Sequence, residues 1–341
     1  MPSNNDEKKH INIPIFIPEL ACPFQCIFCN QRKISGQLHV PDEKEIINII
    51  ESYLKTIVLE NSDVQFAYFG GNFTGLSIKE QENFLKLVDP YIKIGKISGI
   101  RISTRPDYIN EEILTLLKKH HVKSIELGAQ SMDDEVLKKS KRGHTSTQTE
   151  KAIALVKDFG FSLGLQMMVG LPGDTLESTI YTANKIVELG AENTRIYPTL
   201  VIKGTHLENL YKQGKYQSLS LDAAVNWSRE AVIIFDKAGI KILKLGLHPS
   251  EGLINGNDLI AGPFHPSFHE LVLTSRWREI FEIISEKGNT VEITVAPDQI
   301  NAAIGYQGSN KKYLLQRYKS VKFESDNTKS GREHRIEVKQ I

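Results

Sequence analysis

The chain has 341 residues, 42 Lys and Arg against 41 Asp and Glu, and a formal net charge of +1. Apolar residues make up 40% and charged residues 24%, which describes a soluble globular chain long enough for a large core and more than one unit. Near-neutral charge excludes a globally cationic surface, so any nucleic-acid contact must be local. No run of about 18 apolar residues marks a membrane span. The opening MPSNNDEKKH lacks the apolar centre of a secretory signal, so the cytoplasm is the expected location.

In chain order, the first apolar run is Ile13–Ile17, and a loop holding all three cysteines follows it. A helix-period stretch, Glu43–Ile57, comes after the start signal Pro41-Asp42. The pattern then repeats. Strand-like Val64–Phe69 leads to helical Lys79–Ile92 behind Ser77, and Gly99–Ser103 leads to Glu111–His120 behind Asn110. Ser124–Leu127 precedes Thr147–Phe159, and Ser162–Val169 precedes Leu176–Leu189, where Asp174 reads as the cap. Thr194–Pro198, then Leu221–Ala238 behind Ser220, and finally Ile240–Leu245 complete the series. Gly160, Gly190 and Gly239 stand where helix C-termini need glycine. Strand–helix alternation at this spacing means right-handed βαβ units and a parallel sheet. About six units fit a partial (β/α)6 barrel over residues 1–245, with the chemistry at the C-terminal strand ends. Residues 246–288 read as a connection rich in Gly, Pro and His that ends in a helix over Phe268–Glu286. Residues 289–341 read as a small α+β unit, with strands Thr290–Ala296, Ser320–Glu324 and Arg335–Val338.

Cys22, Cys26 and Cys29 are spaced C-x3-C-x2-C. Three thiols in one loop are not a disulfide framework. They suit a soft metal centre. Three ligands leave one iron of a [4Fe–4S] cluster open, whereas a closed zinc site needs a borrowed histidine; unmetallated core thiols are the third alternative. Further along, Gly70-Gly71 ends the second strand, and Ser103, Arg105 and Gln130 follow the third and fourth. Polar groups at buried strand ends need partners, and a ligand is one such partner. Met167 and Met168 read as core packing.

The cysteine spacing after a first strand, with Phe28 just before Cys29, resembles the signature of the radical SAM superfamily. That resemblance implies a [4Fe–4S] cluster on Cys22, Cys26 and Cys29, with S-adenosyl-L-methionine chelating the open iron. It also implies reductive cleavage to a 5′-deoxyadenosyl radical and an electron donor such as flavodoxin or ferredoxin. Gly70 and Gly71 take the place of the family's Gly-Gly-Glu turn, with Asn72 replacing the acid. Gln130, Arg142 and Gln166 are similar in placement to cofactor-lining residues of oxygen-independent coproporphyrinogen oxidases, although the third is an acid there. With Ser103 and Arg105 they complete the expected cofactor shell. GGNF, LGAQSMDDEVL with RGHT, MMVGLPGDT and IYPTLVIKGTHLENLYKQGKYQSLS resemble the family of Elongator catalytic subunits over roughly residues 11–245. This implies work on tRNA, but without that family's acetyltransferase domain. Lys203, within VIKGT, reads as a solvated loop lysine.

In the last unit, IGYQG resembles the GXXG loop of a KH fold. Gly305, Tyr306, Gly308, Lys311 and Lys312 are the RNA contacts this implies, with Tyr306 and Tyr313 as stacking rings and Arg317, Lys319 and Lys322 as further cations. Two competing functions remain at this level. One is a radical enzyme acting on a small molecule or peptide; the other is an RNA-binding protein with a structural metal centre.

Overall fold

The computed structural model describes residues 9–17, 26–36 and 39–340. The strands in chain order are β1 (Lys9–Phe16), β2 (Ser62–Phe69), β3 (Gly99–Thr104), β4 (Val122–Gln130), β5 (Ser162–Val169) and β6 (Asn193–Pro198). They continue with β7 (Val201–Ile202), β8 (Lys241–Leu245), β9 (Leu259–Ala261), β10 (Thr290–Val295), β11 (Ser320–Ser325) and β12 (His334–Lys339). Seven of them form one parallel sheet in the order β1-β2-β3-β4-β5-β6-β8. Each neighbour follows its predecessor in sequence apart from the short β7, as expected for an open barrel of consecutive βα units.

Period-two alternation decides what faces where. On β5, Leu163, Leu165, Met167 and Val169 are buried against the helical layer, while Gln166 and Met168 are only part-buried on the other face. The main core is this helix-side interface, with Ile46, Ile50, Leu85, Leu114, Ile153, Ile186 and Phe235 contributed by the helices. Helix starts follow the sequence signals. Asp42 and Ser77 close capping boxes with Glu45 and Glu80, and Asn110 and Ser220 accept from Ile113 and Ala223. The expected cap at Asp174 is corrected: Thr175 caps that helix. Asp174 turns inward instead, where Gly170 N–H and the hydroxyls of Ser178 and Thr179 donate to it. Burial pushes its carboxyl above the usual range despite these donors.

The short antiparallel pair β7–β9 ties the segment after β6 to the connection and was not read from the sequence. The helix of the connection ends at Glu282, four residues earlier than expected, and Arg317 donates to the carbonyl of Phe281 in its last turn and to that of Ile284 just past it. That helix joins two cores. Phe268 and Val272 belong to the main core, while Trp277, Ile280, Phe281 and Ile284 form the second core with Val291, Ile293, Val295, Ala303 and Leu314. In the last sheet β10 lies in the middle, parallel to β11 and antiparallel to β12. Arg332 pairs with Asp236 on the barrel helix Leu221–Ala238.

Candidate active site

A cavity of about 360 Å³ opens at the C-terminal ends of the parallel strands. Its lining includes Cys26, Phe28 and Cys29 on one wall and Gly70, Gly71, Ser103, Gln130, Arg142 and Gln166 on others. These nine sequence-predicted residues are therefore brought together. Cys22 lies outside the described residues. Asn72 and Arg105, also predicted, are placed just behind the lining. The Asn72 Oδ1 accepts from Thr104 Oγ1 at 2.7 Å and from the Arg105 N–H at 3.3 Å, fastening the glycine turn to the end of β3.

Backbone geometry makes the glycine turn. Gly70 has φ +96°, and a Cβ there would stand 2.8 Å from the carbonyl oxygen of Ile17. Only glycine allows that approach between the first two strand ends. On β4 the register slips between Gly128 and Gln130, and Gln130 takes φ +66°. This bulge re-aims the Gln130 carboxamide toward the cavity, where its oxygen accepts from Gln166 Nε2 at 3.3 Å.

The cysteine loop rests on a satellite core. Cys26, Ile27 and Phe28 pack with Val136, Leu171, Val201, Leu207 and Tyr216. The Leu207 N–H donates to the Ile27 carbonyl at 2.7 Å, and Tyr216 Oη donates to the Gly170 carbonyl at 2.7 Å. The long stretch 196–220 thus owes its residues to a platform under the loop. Met167 is buried in the main core, and Met168 packs on that platform and also lines the cavity.

The sulfurs are held by nitrogen donors. Arg142 Nη1 donates to Cys26 Sγ at 3.3 Å and Arg105 Nη1 does so at 3.7 Å, while Gln31 Nε2 donates to Cys29 Sγ at 3.4 Å. Arg142 also donates to the Gly128 carbonyl at 2.6 Å, and Arg105 donates to the Arg142 carbonyl at 2.6 Å and is paired with Asp107. Gly128 keeps the space: a Cβ there would meet Arg142 Nη2 at 2.9 Å. Two guanidiniums facing one sulfur supply the positive charge that an anionic sulfur ligand needs in a buried place. Next to Arg142, the buried His144 imidazole has its pKa lowered to about 4, by burial first and then by the Arg142 charge. Two of the three expected ligands, their donors and the adjoining cavity therefore fit an iron–sulfur centre with a small-molecule ligand beside it.

Sequence reading missed the opposite wall. Glu126 on β4 receives Arg101 Nη1 at 2.7 Å from β3 and Arg195 Nε at 2.5 Å from β6. Gly164 on the intervening β5 leaves the room; a Cβ would stand 2.9 Å from Glu126 Cγ. Burial opposes the Arg195 charge, but the Glu126 carboxylate outweighs it and holds the guanidinium pKa above its ordinary value. Arg195 also lies 4.9 Å over the Phe69 ring. The available signal was strand alternation: Arg101 lies two residues before Ser103, and Glu126 two before Gly128.

In the last unit, Gly305 and Gly308 flank an exposed Gln307, and both have positive φ. A Cβ at Gly305 would stand 2.8 Å from Asn310 N, while nothing lies within 4 Å at Gly308. Lys311 and Lys312 are exposed beside this tip. The Tyr306 N–H donates to Thr274 Oγ1 at 2.8 Å, and its ring meets His265 edge-on at 5.4 Å. The Tyr313 ring is covered by Arg278 at 4.1 Å. Lys203 is exposed.

Comparison with known proteins gives this arrangement a family. The model of the radical SAM superfamily matches residues 17–186, and that of a radical SAM C-terminal domain matches residues 191–278. Elongator complex protein 3 of Saccharomyces cerevisiae is 33% identical over 183 residues, 48% of this chain and 33% of that one. A tRNA uridine(34) acetyltransferase of Dehalococcoides mccartyi is 24% identical over 239 residues, 60% of this chain and 52% of that one. The chain thus spans between a third and about half of the length of these relatives. Among solved structures, the archaeal Methanocaldococcus infernus Elp3 with an N-terminal deletion superposes with a TM-score of 0.63 at 22% identity, covering 81% of this chain and 64% of that one. This supports the α/β fold of an open parallel barrel. The superfamily uses a [4Fe–4S] cluster and S-adenosylmethionine. The chain belongs to the radical SAM superfamily.

Proposed function

We propose that this protein is a radical enzyme that modifies tRNA, with a uridine base as the target. The observation that carries the reading is the cavity that joins Cys26 and Cys29 to Gln130, Arg142 and Gln166 at the strand ends. Cys26 and Cys29, with Cys22, are the residues to hold a [4Fe–4S] cluster, and Gly70, Gly71, Ser103, Gln130 and Gln166 those to hold S-adenosylmethionine. Bound there, the pair supplies one-electron cleavage of the sulfonium to a 5′-deoxyadenosyl radical. The chain's own residues do the rest. Arg142 and Arg105 orient Cys26 and set positive charge beside it, Phe28 and Met168 exclude water, and the glycine turn admits a polar ligand to the backbone. The relatives named for uridine 34 of tRNA support the substrate class. The exposed glycine loop, with Lys311 and Lys312 beside it, supports an RNA contact of the KH kind at the tail. An electron donor such as flavodoxin or ferredoxin and a cytoplasmic location belong to the same reading. Among the described residues no helix is long and apolar enough to cross a membrane.

The test is a nucleoside mass analysis of bulk tRNA after anaerobic incubation with reduced protein and S-adenosylmethionine. A new uridine-derived mass that is absent with Cys26→Ala supports the proposal. Unchanged nucleosides, together with turnover of the cofactor, would move the substrate to a small molecule.

A further inference from the structure

The inner face of the sheet carries more positive charge than its own carboxylates neutralise. In register, Gly128, Gln166, Arg195 and Lys244 form one row across β4, β5, β6 and β8. All four line the cavity. Arg195, itself part-buried, shares the single buried carboxylate of Glu126 with the buried Arg101, so that trio keeps one positive charge in excess. Lys244 adds a second. It is part-buried, its side chain makes no hydrogen bond or ion pair with any described residue, and its charge is felt by His269 on the helix Phe268–Glu282. A cation partly shielded from water and facing a cavity gains most from an anionic ligand that completes it. Lys244 also sits on the edge strand at the other end of the sheet from β1, which leads into the cysteine loop.

We propose that Lys244 and Arg195 form an oxyanion subsite for a second substrate, binding a carboxylate or phosphate group of a molecule that shares the cavity with the cofactor. The assignment rests on the cavity being the reaction chamber proposed above. Lys244 supplies a point charge, and Arg195, fixed by Glu126 and stacked on Phe69, supplies oriented N–H groups. The row position places the anion beside Gln166.

The experiment uses the full chain, purified anaerobically with its metal centre and saturated with S-adenosylmethionine. Its thermal midpoint is followed in malonate or inorganic phosphate against sodium chloride of matched ionic strength. The wild type is expected to gain about 2 °C at an anion concentration roughly tenfold above its Kd. A response to malonate alone assigns a carboxylate-bearing small molecule, and a response to phosphate alone assigns a nucleotide or RNA phosphate. Lys244→Met should lose the gain and Lys244→Arg should keep it. As a measurement free of variants, amine acylation of Lys244 followed by peptide mass spectrometry should slow in the effective anion. The proposal is overturned if the wild type does not respond, if Lys244→Met responds as the wild type does, or if the response and the protection occur only without S-adenosylmethionine. Failure of the underlying reading shows separately, as a reduced wild type that does not cleave S-adenosylmethionine.

Discussion

Arg142 is the side chain on which the cysteine wall depends. Its two ends hold Cys26 Sγ and the Gly128 carbonyl, so it links the loop after β1 to the bulge of β4. Arg142→Met keeps the volume and removes both bonds. Iron content per chain should fall by half or more, while the far-ultraviolet circular dichroism stays as in the wild type; full iron loading would show that the bonds are incidental. His144, beside it, gives the protein a pH signature. Its folded pKa of about 4 lies below the free value of 6.5, so between these values the unfolded chain takes up a proton that the folded chain refuses. Stability is complete above pH 6.5 and declines as pH falls toward 4. His144→Gln should flatten that slope, by about 2 kcal/mol between pH 6.5 and roughly pH 5. Parallel denaturation curves for the two proteins would contradict the assignment.

At the scale of elements, β3 to β6 are bound together inside the barrel by one carboxylate. Glu126→Gln leaves Arg101 and Arg195 facing each other with half their partner gone, and should cost about 3–5 kcal/mol in urea unfolding. A cost below about 1 kcal/mol would mean that solvent reaches the trio. This network also shows what the sequence discloses and what it hides. Alternation and caps gave the parallel strands and their helices, because the buried period and the first-turn side chains are local properties. Cys26, Cys29, Gly70 and Gln130 were legible because each answers a requirement written in its own neighbourhood. Glu126, Arg195 and Lys244 were not, since their meaning arises from register across strands up to about 120 residues apart. Asp174 failed for a related reason: as a residue type it suits a helix cap, but the Gly170 N–H and the Thr179 hydroxyl draw it inward. The β7–β9 pair is too short to leave a periodic pattern.

For the whole molecule, the helix Phe268–Glu282 is the physical link, with one half in each core. The tail is therefore packed onto the barrel through residues of this one helix. Gln307→Asp, combined with Lys311→Glu and Lys312→Glu, changes only exposed side chains and spares Tyr306, which is packed on His265 and Thr274. Filter binding to bulk tRNA should weaken at least tenfold, with a flatter dependence on salt as phosphate contacts are lost. Binding equal to the wild type would remove the tail from the RNA surface. The central claim, that the cavity bearing Cys26 and Cys29 is a radical S-adenosylmethionine site, is tested most directly by one assay. Anaerobically reconstituted protein is reduced with dithionite, mixed with S-adenosylmethionine, and assayed for 5′-deoxyadenosine. The wild type should form it and Cys26→Ala should not; 5′-deoxyadenosine from Cys26→Ala at the wild-type rate, or none from an iron-loaded wild type, would contradict the account.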